Sequence, residues 1–340
     1  MTDNAMSRAA QPLPGVSYVM PVLNEETHLE AAVSGVLRQD YPGAFEVVLA
    51  VGPSRDATRA IADALAARDP RVRVVDNPAS RTPHALNLAV AAASYDVIVR
   101  VDGHGMLTDG YVRRAVELLE ETGAANVGGV MDAQGSTPFE EAVAAAYTTK
   151  LGLGGSSFHL AESQAGPAET VFLGVFRREA LTAVGGFDET MHRAQDWELN
   201  HRLLASGRTI WFSPELRVTY RPRSSVRALA RQMYDTGKWR REVIRRYPDT
   251  ANVRYLAPPV ATAAIAAGTL LGATGSLVGS RLLRLAWAAP VGYAAVVVGG
   301  SAVTARSMSD AARLRLPLVL AVTHLSWGAG FLVGLRRRPA

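Results

Sequence analysis

Three stretches near the C-terminus carry no Asp, Glu, Lys or Arg: residues 256–280, 285–305 and 316–335. A helix rises 1.5 Å per residue, so about 20 apolar residues cross a hydrocarbon layer of roughly 30 Å, and each stretch is long enough to do so. Three such helices could otherwise be buried only inside a large protein core, which a tail of this length does not supply. The sequence therefore predicts a membrane domain over residues 255–340. The polar segment 1–15 contains Asp3 and no apolar run, so it reads as a disordered lead-in and not as a secretory signal.

The net charge of +5 is a local property. Residues 221–254 hold ten Lys or Arg against Asp235, Glu242 and Asp249, which leaves the remainder slightly acidic. A basic patch suits nucleic acid or an anionic membrane surface. Here it abuts lipid-length apolar runs and lacks an aromatic stacking pattern, so the membrane is the expected partner and nucleic acid is not. Val226, Leu229, Ala230 and Met233 form an apolar stripe beside Arg227 and Arg231, the pattern of a helix lying in the lipid interface. The patch places the preceding residues on the cytoplasmic side of a multi-pass protein. Three spans then put Arg336, Arg337 and Arg338 outside, against the positive-inside tendency. Either one segment is re-entrant, with Pro258-Pro259 pointing to the first, or the tail departs from the rule. With no Cys in the chain, thiolate chemistry and disulfides are excluded.

Before the patch, β-rich runs alternate with helical spacings. Residues 17–21, 46–51 and 71–75 read as strands, 27–37 and 56–67 as helices, and a third helix around Asn87 leads to the run YDVIVRVDGHG at 95–105. Strand, turn and helix in repetition predict a mostly parallel sheet covered by helices on both faces. The 95–105 run ends at Asp102-Gly103-His104, which reads as a buried strand delivering a carboxylate to the sheet edge where open α/β folds bind ligands. Glycine there leaves room for a phosphate, although an Asp-Gly after a strand is also an ordinary turn. Further on, 111–121 reads as a helix, 125–131 and 170–176 as strands, 179–184 and 196–206 as helices. The glycine- and serine-rich segment 152–166 reads as a mobile loop.

Several of these segments together resemble the family 2 glycosyltransferases: Pro21-Val22-Leu23-Asn24-Glu25-Glu26, Asp102-Gly103-His104, Val184-Gly185-Gly186-Phe187-Asp188-Glu189 and Gln195-Asp196-Trp197-Glu198. The run from Tyr220 to Gln232 with Gly237-Lys238-Trp239 is similar to the subgroup of succinoglycan glucosyltransferases of exopolysaccharide synthesis. The resemblance implies a GT-A nucleotide-sugar-binding domain over residues 16–220, Rossmann-like with a mostly parallel sheet, followed by basic interfacial helices at 221–254 and the membrane helices.

It also implies inverting transfer from a nucleoside-diphosphate sugar, usually a UDP-sugar, to a lipid-linked or glycan acceptor. Charge builds on the departing diphosphate and a divalent ion, Mn²⁺ or Mg²⁺, can neutralise it. Asp102 takes the metal position. His104 stands where many relatives have a second acid, as a metal ligand, a phosphate donor or a spacer. Asp196 takes the position of the general base that removes the acceptor hydroxyl proton; an Asp before an apolar helix is also a common N-cap. Pro21, Asn24, Glu25 and Asn87 match donor-binding positions. Gln232 and Trp239 match the acceptor side near the membrane, although the Gln-x-x-Arg-Trp motif of processive relatives is missing, so one sugar per encounter is expected. Val51 stands where relatives carry a nucleoside-contacting Asp. A polyprenyl-phosphate glycosyltransferase and a non-catalytic scaffold of a polysaccharide assembly complex are the competing expectations.

Overall fold

A computed structural model describes residues 13–153, 157–159, 162–304 and 308–335. The first twelve residues of the lead-in, parts of the 152–166 segment and the arginines at 336–338 lie outside the described residues. In chain order the elements are β1 (Val16–Val22), α1 (Leu29–Leu37), β2 (Phe45–Val51), α2 (Thr58–Arg68), β3 (Val72–Asp76), α3 (Thr82–Ala92), β4 (Val97–Arg100), β5 (Met106–Leu107), α4 (Tyr111–Thr122), β6 (Asn126–Ala133) and α5 (Pro138–Thr148). There follow β7 (Gly166–Pro167), β8 (Phe172–Arg177), α6 (Arg178–Ala183), α7 (Gln195–Ala205), β9 (Ile210–Tyr220), α8 (Val226–Arg246), α9 (Val253–Leu277), α10 (Arg281–Arg284), α11 (Ala288–Thr304), α12 (Asp310–Arg313) and α13 (Leu316–Val333). The chain divides into two compact units, Met1–Asp132 with Ala161–Tyr220, and Ala133–Leu160 with Arg221–Ala340. The expected boundary at residue 220 is therefore crossed by an excursion, residues 133–160, that groups with the C-terminal part.

The first unit is built on one mixed sheet ordered β3-β2-β1-β4-β8-β6-β9-β5, with β7 on β9. Its β3-β2-β1-β4 half is parallel, in the register Val16 opposite Phe45 and Val97. Beyond β4 the pairing turns antiparallel, starting with Val97 opposite Arg177. The central strands are runs of Val, Ile and Leu because both faces are covered. Tyr18, Met20 and Leu49 pack against Leu29, Val33, Tyr111 and Leu119 on one face. Val19, Val48 and Ile98 pack against Leu86, Phe176 and Leu199 on the other. Each such side chain taken from water contributes about 1.5–3 kcal/mol.

Because β1, β2 and β4 are parallel, their C-terminal ends open on one edge. The turns after β1 and β2 are laced together there. Asn24 adopts a left-handed φ of 56°, which Asn tolerates better than most residues. Its backbone N–H donates to Ser54 Oγ at 2.9 Å and its Oδ1 accepts from Arg55 N at 2.9 Å. Glu25 N donates to Thr58 Oγ1 at 2.7 Å and Glu26 accepts from Ala57 N at 3.0 Å.

The second unit is helical. Three segments, Val253–Leu277, Arg281–Thr304 and Asp310–Val333, are long and apolar enough to cross a membrane. α9 is one continuous helix that contains Pro258 and Pro259. A Thr137–Glu140 capping box opens α5, and Glu141 on that helix accepts from Ser309 N and Oγ at 2.7 and 2.6 Å. α8 and α13 meet backbone to backbone: a Cβ on Gly237 would lie 2.0 Å from Trp327 O, and one on Gly330 would lie 1.9 Å from Tyr234 O. Only glycine permits this approach. The α8 stripe expected at the lipid interface is therefore partly withdrawn into protein, with Leu229 and Met233 buried and Val226 exposed.

Candidate active site

The edge where β4 ends is organised by Arg100. This residue closes a strand of otherwise aliphatic side chains and is itself 5% exposed. Its Nε and Nη2 donate to Asp102 Oδ1 at 3.2 and 3.0 Å, and its Nη1 donates to Asp196 Oδ1. A buried guanidinium needs anionic partners, and its planar fork can serve two of them. Asp102 and Asp196, 94 positions apart in sequence, are thus brought to a single cation within the first unit.

Asp196 does not cap its helix. The N-cap of α7 is Ala194, at a left-handed φ of 59°, and no side-chain cap bond forms there. The Asp196 carboxylate turns instead to Arg100 and stays 43% exposed. A left-handed alanine costs on the order of 1 kcal/mol, and such strain concentrates where a side chain must be aimed.

Glu25 and His104 meet beside Asp102, with His104 Nδ1 2.8 Å from Glu25 Oε1. A Cβ on Gly103 would sit 2.9 Å from Glu25 Cγ. The glycine between Asp102 and His104 therefore makes room for the Glu25 side chain, where the sequence suggested room for a phosphate. Among the described residues no group of three or more His, Asp and Glu is placed to hold a metal ion by itself. Asp102 and His104 are both partly exposed. An ion at that edge would take further oxygens from a phosphate ligand and water, as Mg²⁺ and Mn²⁺ commonly do at phosphate sites, and the residues present fit that mode.

The remaining expected positions fall in different settings. Pro21 lies in β1 opposite Ala50, and Asn24 in the laced turn. Asn87 commits its amide to the 187–189 loop: Oδ1 accepts from Phe187 N at 2.9 Å, while Nδ2 donates to Phe187 O at 2.9 Å and Glu189 Oε1 at 3.1 Å. His84 Nε2 lies 2.9 Å from the same Glu189. Burial and then the neighbouring Arg81 and His84 charges hold the His192 imidazole below its usual range. Val51 is core, 3% exposed. Asp56 accepts from Thr58 Oγ1 at 2.5 Å and Thr58 N at 3.1 Å, which holds its carboxyl below the usual range. Gln232 belongs to the second unit, where its Oε1 accepts from Tyr147 Oη at 3.0 Å and Arg223 Nε at 3.3 Å. Trp239 is half-buried on α8.

Arg100 is the site residue the sequence reading passes over. Its signal is legible in hindsight: one cation inside the aliphatic run VIVRVD has no reason to be there unless something at the strand end holds it.

A family model described as Glycosyl transferase family 2 matches residues 17–185. The succinoglycan biosynthesis protein ExoA of Rhizobium meliloti (strain 1021) is 36% identical over 328 residues, 95% of this chain and 96% of that one. The chain belongs to glycosyltransferase family 2. A second relative, a dolichyl N-acetyl-alpha-D-glucosaminyl phosphate 3-beta-D-2,3-diacetamido-2,3-dideoxy-beta-D-glucuronosyltransferase of Methanococcus voltae, is 25% identical over 68% of this chain and 74% of its own. Among solved structures, the mannosyltransferase PcManGT of Pyrobaculum calidifontis, in complex with GDP-Man and Mn²⁺, superposes with a TM-score of 0.59 at 18% identity. That match covers 92% of this chain and 86% of PcManGT, and it establishes a shared GT-A fold. In this family 2 glycosyltransferase, Asp102 and Asp196 lie in the segments from which the resemblance was read.

Proposed function

We propose that the chain is a membrane-bound inverting glycosyltransferase that moves a sugar from a nucleoside diphosphate to a lipid-linked glycan acceptor in cell-surface polysaccharide synthesis. The observation that carries this reading is the shared contact of Asp102 and Asp196 with Arg100 at the open edge of the parallel strands. Support for the acceptor class comes from the names of the two relatives, one a succinoglycan biosynthesis protein and one an enzyme acting on a dolichyl-linked sugar. The three helices long enough to cross a membrane fit an acceptor carried in lipid.

Asp196 is the base in this scheme. It accepts the proton of the acceptor hydroxyl as that oxygen bonds to the anomeric carbon and the bond from that carbon to the diphosphate oxygen breaks, with inversion. Arg100 keeps the carboxylate aimed. Mn²⁺ or Mg²⁺ held by Asp102, with His104 beside it, would neutralise charge on the departing diphosphate. Asn24 and Glu25, fixed by the laced turn, flank the donor on the β1 side; Asn87 contributes by holding the 187–189 loop. The catalytic unit faces the cytoplasm, where the basic α8 meets the inner leaflet.

The test is nucleoside diphosphate release by the purified full chain in detergent, across a panel of nucleotide sugars, with EDTA and with each metal restored. Release that needs Mn²⁺ or Mg²⁺ and disappears in Asp196→Asn is expected. Transfer unchanged in Asp196→Asn would remove the base assignment.

A further inference from the structure

Length and composition make α13 a candidate span, yet the elements packed along it belong at a membrane surface. Its start is tied to α5, which carries Glu140 and Glu141 in its first turn, through the Ser309–Glu141 bonds. Halfway along, His324 Nε2 lies 2.8 Å from Leu151 O, in the turn that follows α5. At its end Arg241 Nη1 on α8 donates to Phe331 O at 3.3 Å and Leu332 O at 2.7 Å, beside the Gly237 and Gly330 contacts that join the two backbones. α8 sets seven Lys or Arg against Asp235 and Glu242 in 21 residues, and Arg227, Arg231, Arg241 and Arg245 are exposed. A helix so charged stays out of hydrocarbon, and irregular backbone does not face lipid there. A crossing helix would leave such neighbours behind within a turn or two. α13 keeps them from one end to the other.

The helices before it lead independently to the same place. As α9 advances, its contacts move back along the next segment: a Cβ on Gly268 would lie 2.6 Å from Ala286 O, and one on Gly275 would lie 2.6 Å from Leu283 Cβ. α9 and the α10–α11 segment are therefore antiparallel, and Thr304 comes back to the side on which α9 begins. Ser309 follows five residues later. Five residues extend at most about 18 Å, too short to recross a layer of roughly 30 Å. α13 thus starts on that side. It also finishes there, since a Cβ on Gly328 would lie 2.5 Å from Pro258 O in the second turn of α9.

We propose that α13 is an in-plane helix and not a third span: the chain crosses twice, through α9 and the α10–α11 segment, and α13 lies in the headgroup–acyl boundary against the charged α8, with the lipid surface as its partner. Its buried stripe of Leu316, Val319, Leu320, Thr323, Trp327 and Gly330 turns to protein. Leu318 and Leu332, about four turns apart on the opposite face, are 52% and 48% exposed and take the acyl chains. With the start of α9 cytoplasmic, as in the reading above, Arg336, Arg337 and Arg338 follow α13 on the cytoplasmic side and obey the positive-inside tendency. The conflict raised by three spans disappears.

The experiment reads sidedness and depth and needs neither donor, metal nor turnover, so its failure is distinct from failure of the transferase reading. The chain has no Cys, so single reporters can be placed in the full chain in sealed membrane vesicles of one orientation: Asp249→Cys before α9, Val278→Cys in the turn after it, and Ala340→Cys beyond α13. With a membrane-impermeant maleimide, Ala340→Cys labels as Asp249→Cys does, and Val278→Cys labels only in vesicles of the opposite orientation. Ala340→Cys labelling with Val278→Cys makes α13 a span and overturns the proposal, as does any other grouping. Nitroxides at Leu318→Cys and Leu332→Cys then report depth. The two positions stand about 21 Å apart along the helix axis. Their depths differ by less than about 10 Å for a helix lying in the interface; a larger difference means that α13 crosses, and overturns the proposal. Should Leu332→Cys fail to fold, Val333→Cys, 59% exposed, reports the same turn.

Discussion

Arg100 can be removed in two ways that should differ sharply. Its side chain is 6% exposed, while those of Asp102 and Asp196 are 29% and 43% exposed. In Arg100→Met the aliphatic stem is replaced by a chain of similar length, and the two carboxylates left behind are open enough for water to solvate them. The expected loss is about 1–2 kcal/mol, the range for a partly exposed hydrogen-bonded charge. In Asp102→Asn/Asp196→Asn the guanidinium stays buried without an anion, a situation worth about 3–5 kcal/mol. At roughly 2–4 °C per kcal/mol for a unit of this size, the first variant should unfold only a few degrees early and the second on the order of 10 °C early. Thermal unfolding followed by tryptophan fluorescence at one scan rate ranks the three proteins. If Arg100→Met proves as damaging as the double variant, Arg100 is held by packing and the ionic account of this edge is wrong. Activity separates the roles further: Arg100→Met should lower kcat more than it raises KM, because Asp196 keeps its chemistry and loses its aim.

Asp196→Asn alone leaves Asp102 on the guanidinium, so its Tm should shift little while kcat drops about 10²–10⁴-fold, measured as nucleoside diphosphate release. Glu46 gives a pH signature in the first unit. Burial pushes its carboxyl up, but the bonds from Ser94 and Ser17 and the nearby Arg73 outweigh this and hold it below an ordinary glutamate value of 4.5. Its folded pKa is thus the lower one, so its stabilisation is present above about 4.5 and fades as pH falls through the folded value. Urea midpoints between pH 6 and 3 should drop less steeply in Glu46→Gln. Gly330→Leu must push α8 off α13, and a loss of more than about 3 kcal/mol, read as a low yield of monodisperse protein in detergent, is expected. Asn87→Ala should free the 187–189 loop, raising proteolysis there before it changes Tm.

The parallel half of the sheet was legible because its strands are unbroken β-branched runs separated by turns with Gly, Pro and Asn. Residues 97–101 also announced the sheet edge at which Asp102 lies. β9 was not, because Pro214 and Glu215 interrupt its alternation and tertiary pairing with β6, β5 and β7 makes it a strand. α5 carried a readable start in Thr137-Pro138-Phe139-Glu140, yet its grouping with the C-terminal helices could not be read, since it rests on contacts distant in sequence, such as Glu141 with Ser309 and Tyr147 with Gln232. Lipid and protein look alike to a hydropathy pattern. Leu229 and Met233 on α8 could therefore face either, and what decides is a pair of glycines whose only role is to let two backbones touch.

The Glu141–Ser309 bonds join positions 168 apart in the chain. While the ribosome is still making what lies between them, α5 has emerged but its partner does not yet exist, so the helical unit can be completed only once Ser309 has been made. A water-soluble fragment ended before α9 would consequently be an orphan: α5 and the glycine face of α8 would be left bare, and such a fragment should aggregate instead of serving as a detachable enzyme.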